Sequence, residues 1–265
     1  MKVAIVGRGR VGRGLGLALR ARGAEVRLHA GRDPGRIRFK TIVLAVPDPE
    51  IRSVAAGLDR RAASCLLHCS GSLGVEVLPR GRSGVMHPLV SFADPKRPPG
   101  LEGTSFVLQG ERHAVKRAKA VAKLVGARAV VADVHGPTYH AVAALSANGA
   151  AALATVAVRV MTGLGLSRRA SERAIGALLR TVGENVERVG VPNALSGPVI
   201  RGDAATVQRH RAALEAVDPE ARRAYDAIAP AILDCARRAG LPDERASEVA
   251  RMIAQSALPA AEQED

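Results

Sequence analysis

A glycine-rich turn near the start of the chain constrains its fold more than any other feature of the sequence. The segment GRGRVG at positions 7–12 follows the apolar run Lys2–Val6 and opens a stretch of helical periodicity, Val11–Arg22. This is the strand–turn–helix context in which G-x-G-x-x-G binds a dinucleotide. The first glycine permits a tight turn, the second lets a pyrophosphate approach the backbone, and the third lets the helix pack on the strand. The motif therefore predicts a dinucleotide-binding βαβ unit.

The two halves of the chain differ in their hydrophobic pattern. Residues 1–133 alternate helical stretches with short apolar runs such as TIVLAV at 41–46, which is typical of parallel strands buried on both faces. From about His135 the strand signals end, and only helical segments follow. We therefore predict an α/β fold with a doubly wound, Rossmann-type parallel sheet in a domain of residues 1–133. An all-α helical domain of residues 134–265 follows, ending in a frayed acidic tail.

The predicted elements can be given by position. The strands are Val3–Val6, Glu25–His29, Thr41–Val46, Cys65–Cys69, Gly84–His87, Ser105–Leu108 and Ala129–Val131. The helices are Val11–Arg22, Pro49–Gly57, Arg112–Val125, His135–Thr162, Ser167–Val189, Ala204–Ala216, Pro219–Ala239 and Asp243–Ala257.

The residues after the second predicted strand bear on the choice between NAD and NADP. An NAD site places Asp or Glu there to bind the ribose hydroxyls, but this chain has Gly31 and Arg32. The guanidinium of Arg32 suits the 2′-phosphate of NADP. Asp33 is the competing acid, but it precedes Pro34 and fits a turn. We therefore expect NADP as the cofactor, in preference to NAD.

Further cofactor contacts are predicted where other strands end, because ligands of open α/β sheets lie at the carboxyl ends of the strands. Ser70 follows the fourth strand and has two interpretations: contact with the nicotinamide or substrate, or capping of the next segment. The predicted cofactor-binding residues are Gly7, Arg8, Gly9, Arg10, Val11, Gly12, Gly31, Arg32, Ala45, Val46, Pro47 and Ser70.

Three further segments carry a family resemblance. They are MHPLVSF at 86–92, the pair Tyr139-His140 followed by SAN at 146–148, and LSGPVIRGD at 195–203. Through them the chain resembles the Rossmann-like oxidoreductases that carry the domain of unknown function 2520, over essentially its whole length. The wider group resembles pyrroline-5-carboxylate reductase, ketopantoate reductase and 6-phosphogluconate dehydrogenase. The resemblance implies an NAD(P)-dependent dehydrogenase or reductase, and ketopantoate as one substrate for some members.

Reduction of a carbonyl needs a proton for the new alkoxide and usually a cation for a substrate carboxylate. The helical half has no Lys, and Gly136 stands where the resemblance implies one. We therefore predict His140, or failing it His87, as the proton donor, because a histidine pKa suits neutral pH. Asn148 would hydrogen-bond the carbonyl oxygen. The resemblance assigns the LSGPVIRGD loop to binding the carboxylic acid substrate through Ser196, Arg201 and Asp203.

Structural alternatives remain for these residues. His140 could be an interior histidine, Asn148 could form an interhelical hydrogen bond, and the loop could be a plain connector. At the level of function, we expect an NADP-dependent reductase of a small oxo acid. An imine reductase of the pyrroline-5-carboxylate type is the alternative, and a non-catalytic NADP-binding regulatory protein is a third possibility.

Composition narrows the choice of partners and compartment. The net charge of +14 comes mostly from Arg spread along the chain, and aromatic residues make up only 2%. A nucleic-acid partner is therefore not expected, because such proteins concentrate their charge and expose stacking aromatics. The three cysteines lack metal-site spacing, so we predict no metal site and a reducing, cytoplasmic location.

The run Ala141–Val158 is long and apolar, but it includes Asn148, Gly149 and Thr155. Its composition predicts a buried helix rather than a membrane span. Because its small side chains cannot fill a core alone, it should pack on helices of a second copy. We therefore expect a homodimer joined through the helical domain.

Overall fold

A computed structural model describes residues 1–32, 34–61 and 63–254, so Asp33 and the tail beyond 254 lie outside the described residues. The strands are β1 (Lys2–Val6), β2 (Glu25–His29), β3 (Thr41–Leu44), β4 (Cys65–His68), β5 (Ser83–Pro88), β6 (Ser105–Gly110) and β7 (Arg128–Val131). The helices are α1 (Arg10–Ala21), α2 (Asp48–Gly57), α3 (Arg112–Leu124), α4 (Pro137–Gly163), α5 (Arg168–Val189), α6 (Ala204–Val217), α7 (Pro219–Arg238) and α8 (Asp243–Ala254). Every predicted strand and helix is present.

The seven strands form one sheet in the order β2-β1-β3-β4-β5-β6-β7. Strands β1 to β5 are parallel, as the uninterrupted apolar runs predict. The chain turns from β1 outward to β2 and then back to β3 on the other side of β1. In open α/β sheets such a reversal creates a crevice at the carboxyl ends of the strands, where ligands bind. The glycine-rich turn lies at this crevice, directly after β1.

One junction departs from the predicted parallel sheet, since β6 runs antiparallel to β5 and β7 follows β6 in parallel. The connection from β5 to β6 contains no helix. Parallel neighbours need a long crossover, usually helical, whereas an antiparallel neighbour can be reached by a loop. The fold is therefore a doubly wound sheet with two reversed strands at one edge.

The chain divides into two compact units, Met1–Ala147 and Asn148–Asp265. The sequence places the boundary at 133/134, before α4, whereas the units divide inside α4. The start of α4 is tied to the sheet of the first unit, because Gly136 N–H donates to the Gly71 carbonyl at 3.2 Å. The second unit has its own small core of apolar side chains from α6, α7 and α8 with the loop before them, including Val199, Val207, Leu233, Ala246 and Val249.

Helix α4 is not buried, contrary to the sequence-based expectation. None of its residues is buried, and Val142 and Leu145 are 59% and 74% exposed. Ser171 is the only buried residue of α5. By length and composition alone, α4 is long and apolar enough to cross a membrane, the one such helix in the described part of the chain. A single copy of the chain therefore leaves both helices with apolar side chains facing outward.

Candidate active site

The glycine-rich turn has the shape that the motif requires. Gly7 has φ +116°, and a Cβ placed on it would lie 2.2 Å from the Ala45 carbonyl oxygen. A Cβ on Gly12 would lie 2.2 Å from the Gly7 carbonyl oxygen. Gly9, by contrast, has nothing within 4 Å of its Cβ position. Packing thus requires glycine at the first and third positions, and the second faces open space that a ligand can enter.

The start of α1 fits a phosphate group. Its N-cap is Gly9, which provides no side-chain cap, and its first turn has no acidic residue. The backbone N–H groups of that turn, at the positive end of the helix dipole, are therefore available to an anion. Arg8, Arg10 and Arg32 are exposed, and none of them forms an ion pair with a residue the structure describes. The residues present fit a pyrophosphate and a further phosphate.

Ser70 acts as a cap in this structure. Its hydroxyl oxygen accepts hydrogen bonds from the backbone N–H groups of Ser72 and Leu73 at 3.1 and 3.2 Å. Its own N–H donates to Nδ1 of His68 at 3.2 Å, and Nε2–H of His68 donates to the Gly74 carbonyl at 3.0 Å. These contacts hold the turn after β4 and fix His68 as a neutral imidazole. They match the capping interpretation of Ser70.

The first unit brings His87 and His140 together, and it adds Tyr139. His87 lies near the end of β5, and its Nδ1 is 2.8 Å from the hydroxyl of Tyr139. The ring of His140 meets that of His87 edge to face, with 6.4 Å between the centroids. Gly71 makes room for this approach, because a Cβ there would lie 2.9 Å from Cε1 of His87. His140 itself is exposed rather than interior.

A third histidine completes this cluster. His135 lies 5.3 Å from Tyr139 and 6.4 Å from His87 between ring centroids. Its Nδ1–H donates to Oε1 of Gln109 at 3.0 Å, which orients the ring. We call His87, His135, Tyr139 and His140 the histidine–tyrosine cluster. Its members come from β5 and from the segment that enters α4.

Burial keeps the inner members of the cluster uncharged. The pKa of His87 is lowered to about 4, mainly by burial and also by the neighbouring His135 and His140, against the opposing effect of Asp48. Burial also lowers the pKa of His135 and raises that of Tyr139. At pH 7, His87 is therefore neutral and Tyr139 is protonated. His87 is therefore not an imidazolium acid near neutral pH, because desolvation disfavours the charged ring.

This desolvation predicts a loss of stability in mild acid. The pKa of His87 is lower in the folded state than its ordinary value of 6.5, so the unfolded state binds more protons below that pH. The stabilising contribution is complete above pH 6.5 and is lost as the pH falls towards 4. We expect a lower Tm at pH 5 than at pH 7.5, and a smaller difference in His87→Gln. An equal difference in the variant would contradict the assignment.

The predicted substrate-binding residues lie in the second unit. Asp203 caps α6, since its Oδ1 accepts the Thr206 N–H at 3.0 Å, and hydrogen bonds from Thr206 are the main cause of its lowered pKa. Arg201 and Ser196 are exposed on the loop before it. Arg201 makes no ion pair with Asp203. Asn148, at the start of this unit, is exposed on α4.

Several polar residues of the first unit were missed or not selected from sequence. The sequence pattern does not predict Tyr139, His135, His68 or the Ser72–Asp48 pair as site residues. The Ser72 hydroxyl donates to Oδ2 of Asp48. The position of two of these residues in the sequence could have indicated them. His68 is the last residue of β4, and Asp48 follows the end of β3. Polar residues there face the ligand edge of the sheet.

Comparison with known proteins agrees with this architecture. Residues 104–232 match the family described as Domain of unknown function (DUF2520). No curated protein matches the chain at a significant level. Protein TM1727 from Thermotoga maritima is 27% identical over 89% of this chain and 99% of its own, with a TM-score of 0.65.

Two more distant structures share the fold. The imine reductase of Streptomyces aurantiacus is 16% identical, covers 96% of this chain and 100% of its own, and gives a TM-score of 0.57. The NADP-bound pyrroline carboxylate reductase of Plasmodium falciparum is 13% identical, covers 94% and 98%, and gives a TM-score of 0.56. The resemblance seen in the sequence is confirmed: residues 104–232 match the domain of unknown function 2520, and the chain shares the Rossmann-like fold of these structures.

Proposed function

We propose that the protein is an NADP(H)-dependent reductase of a small oxo acid, with ketopantoate as a representative substrate. The observation that carries this is the placement of two features in one unit. A dinucleotide turn follows β1, and an uncharged His87–Tyr139 pair lies near the carboxyl end of β5, in the same parallel set of strands. The first is suited to holding a nicotinamide cofactor, and the second to handling the proton of a reduction.

The chain's own residues would hold the cofactor, which supplies a hydride when bound. The backbone at Gly9 and the first turn of α1 would bind the pyrophosphate. Arg32 would bind the 2′-phosphate as a charge-assisted contact. Ala45 contacts the glycine turn, and Val46 lies 3.0 Å from the Cβ position of Gly31. Both therefore set the walls of the cofactor site from the end of β3.

The proton would pass through His87 without charging it. With the Tyr139 O–H as donor to Nδ1, the ring proton of His87 would lie on Nε2, which has no hydrogen bond within the described part of the chain. Nε2–H gives its proton to the alkoxide oxygen while the Tyr139 O–H gives its proton to Nδ1. His87 stays neutral, and Tyr139 is left as a phenolate that water reprotonates. The exposed His140 stands beside the pair, where solvent can reach it.

The substrate carboxylate remains to be assigned a partner. On the family resemblance we propose Arg201 for this role, with Ser196 beside it, and Asn148 as a donor to the substrate oxygen. Asp203 is better explained as the cap of α6, since a second carboxylate would repel an acid. Arg201→Ala should mainly raise KM, because a carboxylate contact is made in the ground state and the transition state alike.

The substrate class is tested by following NADPH oxidation with ketopantoate, other 2-oxo acids and pyrroline-5-carboxylate. Turnover of an oxo acid supports the proposal. If the protein binds NADPH and turns over none of them, the reductase assignment fails. Turnover of the cyclic imine alone, unchanged in His87→Gln, would establish the alternative imine reductase, because an iminium arrives already protonated and needs no acid.

The cofactor preference gives a separate prediction. A charge-assisted contact between Arg32 and a 2′-phosphate contributes about 1.5–3 kcal/mol, so NADPH should bind roughly 10–100 times tighter than NADH. Arg32→Ala should remove most of this preference. Fluorescence titration of both nucleotides measures it, with Arg36→Ala, another exposed Arg of the same loop, as the matched control. Equal affinity for both nucleotides in the wild type would refute the assignment.

We also propose that the protein is a homodimer joined through its helical half. The apolar side chains of α4 and α5, which are exposed to water in a single copy, would be buried against a second copy. Within the second unit the two helices flank a groove of about 500 Å³, lined by Val158, Ile175 and Leu179 among others. A cytoplasmic location stays a prediction from the cysteine content.

A further inference from the structure

We propose that the amino edge of the sheet holds a second anion site, which takes a small compound with several phosphate charges. A cavity of about 440 Å³ opens there, and it is lined by the cationic residues Lys40, Arg82, Lys116 and Arg117 together with His113. Lys40 directly precedes β3, Arg82 directly precedes β5, and the other three lie in the first turns of α3. Residues from three separate elements thus place cationic side chains around one cavity.

The cations of this cavity lack an acidic partner among its lining residues, and the nearby carboxylate of Glu111 accepts the backbone N–H groups of Gly81 and Arg82. The charged groups of Lys40, Arg82, Lys116 and Arg117 form no ion pair with any residue that the structure describes. Like charges held this close repel one another, and a multivalent anion would relieve that repulsion.

A neighbouring cavity extends the positive surface. It has a volume of about 550 Å³ and shares Lys40 and Arg117 with the first. It adds Arg27 and Arg61, whereas its one acid, Glu25, is already paired with Lys2 at 2.7 Å. Excess cations therefore continue along the same edge, so the first cavity is the centre of a larger basic surface.

Two local features of the backbone favour an anion at this place. Helix α3 has Glu111 as its N-cap residue, without a side-chain cap hydrogen bond, and it begins with Arg112 and His113, although positive side chains are disfavoured at the positive end of a helix dipole. Arg82 has φ +60°, the only positive value for a non-glycine residue in the described chain. The Glu111 carboxylate accepts the N–H groups of Gly81 and Arg82 at 2.8 and 2.7 Å, which holds this conformation.

The cofactor does not account for these cations. The dinucleotide turn lies at the carboxyl end of β1, whereas Lys40, Cys65 and Arg82 lie at the amino ends of β3, β4 and β5, which are parallel to β1. The two sites are thus on opposite edges of one sheet. The volume suits a compact anion, and no aromatic residue lines the first cavity for a base to stack on. We therefore infer a small phosphate compound rather than a nucleic acid.

The test is calorimetric titration of the full chain with inorganic tripolyphosphate in the presence of saturating NADPH. Arg82→Gln with Lys116→Gln should weaken binding at least tenfold. The matched control is Lys119→Gln with Lys123→Gln, which removes two positive charges from the same helix outside the cavity and should change the affinity less than threefold. NADPH affinity should be unchanged in both double variants.

Three outcomes would overturn the proposal. Equal weakening by both double variants would show a general charge effect. Loss of binding in Arg8→Gln with Arg32→Gln, but not in the cavity variant, would place the anion at the dinucleotide turn. Tighter binding of a single-stranded oligonucleotide through the cavity residues would make the surface a nucleic-acid site. If NADPH itself fails to bind, the reductase proposal fails, and the same titration without nucleotide still tests the anion site.

Discussion

Tyr139→Phe should lower kcat for NADPH-dependent reduction by about 10²–10⁴, the range expected for loss of a positioned proton donor. The substitution removes the hydroxyl 2.8 Å from Nδ1 of His87 and leaves the ring in its contacts with His87 and His135. Without it, Nδ1 has no proton to receive when Nε2 releases one. KM and NADPH affinity should change little, because the hydroxyl acts during the chemical step.

The pH profile separates this relay from an ordinary histidine acid. If an imidazolium delivered the proton, kcat would fall as the pH rises through about 6.5. With His87 neutral and the pKa of Tyr139 above its usual 10, kcat should be flat from pH 6 to 9 and fall only in stronger alkali. His87→Gln should reduce kcat to the same extent as Tyr139→Phe.

A matched control exists in the second unit, where the Tyr225 hydroxyl lies 3.5 Å from Nδ1 of His210. Tyr225→Phe removes the same group from a similar pair and should leave kcat within about twofold, since the ring keeps its packing against the core of the second unit and the hydroxyl has no part in the proposed relay. A loss in Tyr225→Phe as large as that in Tyr139→Phe would show that both act through folding. Full activity in Tyr139→Phe would exclude the relay.

The strand and helix pattern of this chain is readable from its sequence because it follows from local rules. TIVLAV could form only a strand buried on both faces, and GRGRVG between a strand and a helix fixed the place of the dinucleotide turn. The antiparallel direction of β6 could not be predicted in the same way. It depends on residues 89–104 forming a loop rather than a helix.

The chemistry of the site was less accessible to sequence, since it depends on burial and on contacts between distant residues. His87 and Tyr139 are far apart in the chain, and their hydrogen bond arises only when α4 is tied to the sheet at Gly71. The low pKa of His87 likewise follows from desolvation, which no local pattern reports. The sequence predicts His140 or His87 as the proton donor, and the structure brings the two rings within 6.4 Å of each other, but sequence could not show that His140 is exposed and Tyr139 is the paired group.

The amphipathic pattern also left open what covers α4. Composition indicated burial, and the described part of a single copy does not provide it, so we expect the apolar face to be covered by a second copy. Leu178 on α5 is 58% exposed and lies on the same half of the chain. The exposed apolar side chains of α4 and α5 therefore predict that the protein assembles through these helices.

The wild-type protein should be a dimer by light scattering at micromolar concentration, and Leu178→Glu should be a monomer. Burying a leucine contributes about 1.5–3 kcal/mol, and a two-fold interface contains the residue twice, so the dissociation constant should rise at least 100-fold. The introduced carboxylate adds a desolvation penalty. Val217→Glu, at a position 53% exposed at the end of α6, is the matched control and should remain dimeric.

The same experiment distinguishes a protein partner from a bilayer. Helix α4 has the length and composition of a membrane span, so the wild type is also mixed with phospholipid vesicles and sedimented. A dimer that stays in the supernatant supports a second copy as the cover of α4 and α5. A monomer that sediments with the vesicles would contradict two expectations, that the protein is a homodimer and that it has no membrane partner. A monomer that stays in solution would leave large apolar side chains in water, and it would refute the homodimer outright.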